Sequence, residues 1–355
     1  IDPQGGVEAY HTLSQLESTY EWSVTAHPRK TGTALRYYIG ADGRLDVESL
    51  KPHVRTLFPN SYRIIRQDNC RPLSQFQSPD WSYAVEAVGT PECYSDWFTN
   101  LRSFGPHDDA SSRHPMTALL EALQESDTSC LLQICAQPTD KLVEAKNDIE
   151  RYLSRDCKRP ANETFETIIG SLPERKPKDE LHYSQQNRLS HLEAKEQDAF
   201  TVSVRVLVGS GSGAEATASR LASVMGTFSG EYYKVEGHYH TDTDSVRTDI
   251  QERKVADPAY KYFPLQFPID RSTAKGIVAD YNEIGSITLV DGADLTEPTR
   301  RAFDLQSDTT GLATPPAPGV LENYDHGPPL GRVRNSEGVV EDTTVRPPPG
   351  LQPQH

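Results

Sequence analysis

Hydrophobic and polar positions along this chain alternate between two periods, and the changes of period mark its elements. Residues Thr33 to Gly40 form a β-rich run closed by the turn signal Ala41-Asp42-Gly43-Arg44. Asp46 then stands where a helix cap belongs. Val47, Leu50, Val54 and Leu57 follow at the i, i+3, i+4 spacing of one buried helical face, with Pro52 inside the pattern and Pro59 at its end. Strand patterns recur at Ser61 to Arg66, Trp81 to Gly89 and Cys130 to Cys135. Helical patterns recur at Met116 to Gln124 and, capped by Thr139, through Leu142, Ala145 and Ile149 to Leu153. Before all of these, Val7 to Tyr20 reads as a helical lead-in.

A second strand–helix–strand unit opens at Ala199. Phe200, Val202, Val204, Val206 and Val208 fall on one side of a strict alternation. Gly209 to Gly213 is a turn, and Ala214 to Phe228 a helix with Ala218, Leu221, Ala222, Val224 and Met225 inward. Tyr232 to His238 returns as a strand. The aromatic-rich run Tyr260 to Phe267 reads as a core strand, with an interface as the alternative. Strand–helix–strand repeated with short helices predicts an α+β fold. Its expected form is two ferredoxin-like, split βαβ units, with helices on one face of mostly antiparallel sheets. The predicted organisation is a helical lead-in at 1–30, a first unit at 31–155 and a charged linker with a polar helix at 156–198. A second unit follows at 199–307, and a Pro/Gly-rich extended connector at 308–355.

Composition narrows the partners more than the fold. The 355 residues are 35% hydrophobic and carry a formal net charge of −15, with a mean hydropathy of −0.62. Such an acidic balance argues against a general nucleic-acid-binding surface, which needs clustered Lys and Arg. It suits a chain kept soluble by carboxylates, in a halophile-like or an ordinary cytoplasmic setting. The five cysteines, Cys70, Cys93, Cys130, Cys135 and Cys157, are irregularly spaced and include no CxxC pair. They point to reduced thiols, not to a zinc ribbon or a disulfide framework. No run of ~18 apolar residues suggests a membrane span, and the initial Ile1 without a methionine suggests a processed fragment.

Three stretches carry candidate chemistry. Gly209, Gly211 and Ala214 fit G-x-G-x-x-G/A between a strand and a helix, Gly213 extends the flexible run, and Glu236 lies where a ribose-binding acid belongs. This is a candidate dinucleotide site, or a loose Ser/Gly turn. His238, His240, Asp242 and Asp244 alternate, so a strand continuing through them would aim four potential metal ligands at one face; a solvated strand end is the alternative. Ile287 to Asp291 has the look of an apolar strand ending in a magnesium-binding aspartate. The phosphate-loop pattern G-x-x-x-x-G-K-[ST] does not occur in residues 1–355, since Lys30-Thr31 and Lys275-Gly276 lack the upstream glycine.

Three segments together resemble the N-terminal region of conjugation-type ATPases of the HerA/FtsK superfamily, the motors of type IV secretion and plasmid transfer. The first is Leu35 to Gly40 with the following helix and Leu57-Phe58-Pro59-Asn60 leading into Ser61 to Ile65. The second is Leu192 to Lys195 followed by the strand Phe200 to Val206 and a helix ending in Phe228. The third is the exit: Pro328 to Arg334, a turn, and Val345 to His355 with Pro347, Pro348 and Pro349. In that family such an exit leads into a phosphate-loop strand. The resemblance therefore implies a non-catalytic assembly and docking region, with ATP and magnesium belonging to a parent ATPase domain beyond His355. It further implies a homo-oligomeric ring on the cytoplasmic side of a membrane channel, contact with channel or secretion components, and DNA handled only indirectly. No catalytic residue of the family maps onto this chain. Two other classes stand beside it: a free-standing structural or interaction protein of a mobile element or virus, and a dinucleotide-binding protein using the Gly209–Ala214 loop.

Overall fold

Every one of the eleven residues of Ala199–Gly209 is buried, which makes this strand the axis of the molecule. A strand buried on both sides must have a layer over each face, so its polar positions Thr201, Ser203 and Arg205 are interior too. The computed structural model describes residues 3–16, 18–30, 32–42, 47–57, 65, 71–76, 80–91, 101, 114–143, 146–147, 150, 186, 189–190, 199–230, 233–258, 276–281, 283–290, 295–303, 331–334 and 340–345. They divide into two units, Ile1–Asp304 and Leu305–His355.

In the first unit the elements run α1 (Pro3–Ser14), β1 (Tyr20–Arg29), β2 (Gly32–Ala41), α2 (Val47–Leu57), a 3-10 turn (Pro72–Gln75), β3 (Trp81–Pro91), α3 (Pro115–Gln124) and β4 (Cys130–Thr139). They continue with β5 (Ala199–Gly209), α4 (Ala214–Met225) closed by a 3-10 turn (Gly226–Phe228), β6 (Tyr233–His240), α5 (Thr243–Glu252), β7 (Ile277–Asp280), α6 (Ile284–Thr288) and α7 (Glu297–Ala302). The second unit's described part is one antiparallel hairpin, β8 (Gly331–Arg334) with β9 (Val340–Val345).

The architecture is α+β, built on one open sheet of seven strands in the order β2-β1-β4-β5-β3-β6, with β7 paired to the first half of β5. All its ladders are antiparallel. The two strand–helix–strand units expected from periodicity therefore share a single sheet and interlock within it. In β3–α3–β4 the two strands run parallel with β5 inserted between them; in β5–α4–β6 the inserted strand is β3. The segment before residue 31 also differs from a purely helical lead-in. Tyr20, Trp22, Val24 and Ala26 alternate at the strand period and are buried, so β1 enters the sheet between β2 and β4.

Helices cover both faces, where one had been expected. On one face Tyr10 of α1 packs against Trp22 and Phe200, with ring centroids 6.0 and 6.5 Å apart, and α4 lies over β3 and β6. On the other, Val246 and Ile250 of α5 join Phe76, Ala84, Leu131 and Leu207 in one cluster, with Leu73 and Trp81 at its edge. The register separates the faces. Ala87 stands opposite Gly237, under α4, whereas Ala84 points the other way toward α5. Gly237 is required by this packing: a Cβ there would lie 2.2 Å from the carbonyl oxygen of Ala222 in α4.

Several local expectations meet a definite outcome. The α2 helix runs through Pro52 and buries Leu50 and Val54. Of the expected strand Ile287 to Asp291, Ile287 and Thr288 instead end a short helix, Ile284–Thr288, and the turn leading into it is closed by reciprocal bonds between Asp280 and Glu283. The Glu283 amide donates to Asp280 Oδ1 at 2.8 Å, and the Asp280 amide to Glu283 Oε2 at 3.0 Å. Of the expected strand 61–66 only Ile65 is described. Of the expected helix after Thr139, the described residues 141–143, 146–147 and 150 are helical, and Thr139 itself ends β4 instead of capping it. The polar helix is described only at 186 and 189–190, and the run 260–267, Asp291 and the Pro/Gly-rich connector from 308 to 330 lie outside the described residues.

Replacing Gly237 with valine is expected to destabilise the protein by about 1–3 kcal/mol through overpacking against α4. Urea denaturation of the variant checks this; an unchanged midpoint would mean that α4 does not sit this close to β6.

Candidate functional site

The polar residues of the sheet fall into one row. Tyr38, Ser23, Gln133, Arg205, Glu86 and His238 stand opposite one another in register across β2, β1, β4, β5, β3 and β6. Glu21 of β1 and His240 of β6 flank the row on the same face, two residues along their strands. Ser23, Gln133, Arg205 and Glu86 are at most 3% exposed. A charged group taken this far from water needs compensation, and α5 with the segment after it provides most of it.

Arg205 makes one hydrogen bond and two longer ion-pair contacts. Its Nη1 donates to the carbonyl of Lys254 at 2.6 Å, its Nε lies 3.5 Å from Glu86 Oε1, and its Nη2 lies 3.7 Å from Asp249 Oδ2. Glu86 also pairs with His240 Nε2 at 3.0 Å, and Asp249 with Lys254 Nζ at 3.2 Å. A second node centres on Glu21. It accepts from Ser23 Oγ at 2.8 Å, from Gln133 Nε2 at 2.9 Å and from Arg253 Nε at 2.6 Å. Gln133 Nε2 also donates to the carbonyl of Ile250 at 2.9 Å, and the amide of Ala256 donates to Ser203 Oγ at 2.9 Å. The C-terminal end of α5 is thus tied to β1, β4 and β5 by side chains that reach its last carbonyls. Arg205 and Arg253 there also oppose the negative end of the helix dipole.

Arg253 sits where helices ordinarily place glycine. Its φ is 53° and ψ 36°, left-handed, and the amides of Arg253 and Lys254 close onto the last turn of α5. A side chain in that conformation costs roughly 1–2 kcal/mol. The guanidinium offsets this by bonding Glu21 and, from Nη1 at 3.2 Å, the carbonyl of Ala41. Above this node opens a cleft lined by Glu21, Arg71, Leu73, Ser74, Gln251 and Arg253, between the 3-10 turn and the end of α5. The carboxylate of its floor is already engaged threefold. The arrangement can hold and orient; it does not pair a nucleophile with a base.

The residues singled out from sequence are distributed differently. Gly209 ends β5, and Gly211 and Gly213 lie in the turn before α4, with Gly213 at the helix N-cap. A Cβ on Gly211 would come within 2.5 Å of the Thr128 side chain, so this glycine lets the turn pack against the loop before β4. Gly209 pairs with Trp81, whereas Glu236 pairs with Val88. Seven residues of β3 separate the two, roughly 23 Å along the sheet. The strand β3 also runs between β5 and β6, which are parallel but not adjacent. Glu236 is paired instead with His238, at 3.6 Å.

The alternation from His238 to Asp244 does not continue as a strand. β6 ends at His240, Asp242 caps α5 by accepting from the Ser245 amide at 3.3 Å, and Asp244 pairs with Arg247 at 3.3 Å. Asp242 competes for a backbone amide, which turns the chain into a helix. Among the described residues, no three His, Cys, Asp or Glu side chains are grouped to hold a metal ion. Sequence reading missed the row centred on Arg205. Its only signal was the alternation of Thr201, Ser203 and Arg205 against valines, which reads equally as a wet face.

The two described cysteines are buried thiols. Burial pushes Cys130 up to about 11, against opposing hydrogen bonds from Ser126 and Thr128. Burial, reinforced by Glu21, pushes Cys135 up to about 12, against the opposing charges of Arg205 and Arg253. Tyr20 is likewise raised to about 12, by burial and then by Asp42.

No protein-family model matches the chain, and no curated protein matches it in sequence. Among the described residues no helix is long and apolar enough to cross a membrane.

Two outcomes are expected. Arg253→Gly relieves the left-handed backbone but strips Glu21 of its cation, for a net loss of about 1–3 kcal/mol. Glu21→Gln combined with it restores most of that loss in urea denaturation; equal losses in both would place the effect elsewhere. For Cys130, Cys135 and Tyr20 the fold favours the protonated form. Stability is intact below their ordinary ionisation at 9.0 for the thiols and 10.0 for the phenol, and declines as pH rises from there toward 12. Thermal melts between pH 8 and 11 check this, and iodoacetamide at pH 8 should label neither thiol until urea is added.

Proposed function

We propose that this chain is a non-catalytic assembly and docking region of a conjugative, HerA-like DNA-transfer ATPase. The observation that carries the reading is the order of elements at the three segments that resemble that family. Leu35 to Gly40 lies on β2 and is followed by α2. Phe200 to Val206 lies on β5, and the helix after it closes at Phe228. The exit segment begins with the strand Gly331–Arg334, paired to Val340–Val345.

The use of charge in the fold supports the same reading. Arg205, Glu86, Glu21 and Arg253 are engaged in holding α5 to the sheet. In this role the chain contributes shape and contact, and ATP with magnesium is handled by a separate domain of the parent protein. The assembly is a ring of identical copies at the cytoplasmic face of a membrane channel, touching secretion components, with DNA moved by the motor part.

Reading the gene past the codon for His355 tests the parentage. A phosphate-loop sequence G-x-x-x-x-G-K-[ST] within about 20 codons is expected, and a stop codon there would overturn it. Light scattering on the protein encoded by the whole gene tests assembly: a closed oligomer is expected, and a strict monomer at all concentrations contradicts it.

A further inference from the structure

The β1–β2 hairpin outruns the sheet that carries it. β1 pairs with β4 only over Tyr20–Ala26, while its pairing with β2 continues to Arg29 opposite Gly32. Residues His27 to Arg29 and Gly32 to Ala34 therefore form a two-stranded ribbon beyond the end of β4, roughly 10 Å long. The ribbon is braced at its base. His27 stacks on Phe76, with ring centroids 4.5 Å apart, and Thr33 Oγ1 donates to the carbonyl of Ser126 at 3.0 Å. Gly32, with φ of 118°, closes the turn.

The ribbon concentrates positive charge in a chain whose formal net charge is −15. Arg29 and Lys30 are at its tip, and Arg36 lies opposite Thr25 at its base, on the same face as His27 and Arg29. All three cations are exposed. None is among the ion pairs that hold the other exposed arginines of the described elements, Arg220, Arg247 and Arg301. Arg36 and Arg29 lie close enough to His27 to lower its ionisation, after burial as the main cause.

We propose that the β1–β2 ribbon is a contact for the phosphate backbone of a nucleic-acid duplex, with Arg29, Lys30 and Arg36 as its cations. A two-stranded ribbon fits the duplex major groove, about 12 Å wide, and guanidinium forks match phosphate oxygens. The described tip residues Pro28, Arg29, Lys30, Gly32 and Thr33 supply no large apolar anchor of the kind a protein interface uses. The overhang also holds Arg29 and Lys30 about one screening length from the rest of the sheet at physiological salt, which confines the repulsion expected from the net charge. The inference goes beyond the assembly reading, which routes DNA only through the motor, and stands without it.

The test is fluorescence anisotropy of a fluorescein-labelled 20-bp duplex titrated with the protein at 50 and 200 mM KCl. Micromolar binding is expected, weakening with salt at a log–log slope of about −2.7 for three phosphates. The variant Arg29→Ala/Lys30→Ala/Arg36→Ala should bind at least tenfold more weakly with a slope near zero, and Arg247→Ala should bind as the parent does. Circular dichroism confirms the fold of each; should the triple variant unfold, Lys30→Glu must show at least a threefold loss. Absence of binding at 50 mM KCl, or binding unchanged in the folded variants, overturns the proposal. So does binding of poly-glutamate in preference to duplex, which would reassign the ribbon to an acidic protein partner.

Discussion

A guanidinium in the middle of a central strand governs the rest of this structure. Arg205 is 1% exposed, and an ion removed from water to that extent costs several kcal/mol unless it is compensated. The compensation comes from three directions: Glu86 on the neighbouring strand, Asp249 on α5 and the carbonyl of Lys254 beyond that helix. Apolar packing of Val246 and Ile250 supplies the attraction that brings the helix to the sheet, since burial of hydrocarbon is non-directional. The ion pairs set its register.

That constraint spreads outward. Once α5 is seated, its last turn ends over β1, and Arg253 takes up the left-handed conformation from which it meets Glu21. Gln133 joins the two nodes by donating at once to Glu21 and to the end of α5. The polar row consequently links strands far apart in the chain, from β1 near residue 21 to β5 at 205 and the segment near 254. The interlocked crossovers β3–α3–β4 and β5–α4–β6 impose the same long-range order through the backbone. Both strand–helix–strand crossovers thus belong to one sheet and not to a hinged pair of domains.

Much of the element order was legible from periodicity. The patterns at Thr33–Gly40, Trp81–Gly89, Met116–Gln124, Cys130–Cys135, Ala199–Val208 and Ala214–Phe228 all correspond to described strands and helices. Other features were hidden for physical reasons. β1 carries His27 and Pro28 beside its alternating Tyr20, Trp22 and Val24, so its strand period is short and easily absorbed into the preceding helical one. The apolar run read as a strand at Ile287 to Asp291 instead begins as the end of the helix Ile284–Thr288, behind a turn closed by Asp280 and Glu283. The polar row was the deepest omission. Alternation of valine with Thr, Ser and Arg describes a half-wet strand and a strand with a buried charged face equally well, and only the docking of α5 distinguishes them. The glycine-rich loop shows the converse. Its spacing resembled a phosphate cradle, yet Gly211 serves the close approach of Thr128.

The central claim is that Arg205 holds α5 on the sheet, and hydrogen–deuterium exchange of an Arg205→Met variant tests it most directly. The account predicts that amides of α5 and of residues 253–256 lose protection while those of β4 and β5 keep most of theirs, a local opening confined to the helix and its exit. Unchanged protection in α5, or an equal loss across all strands, would contradict it.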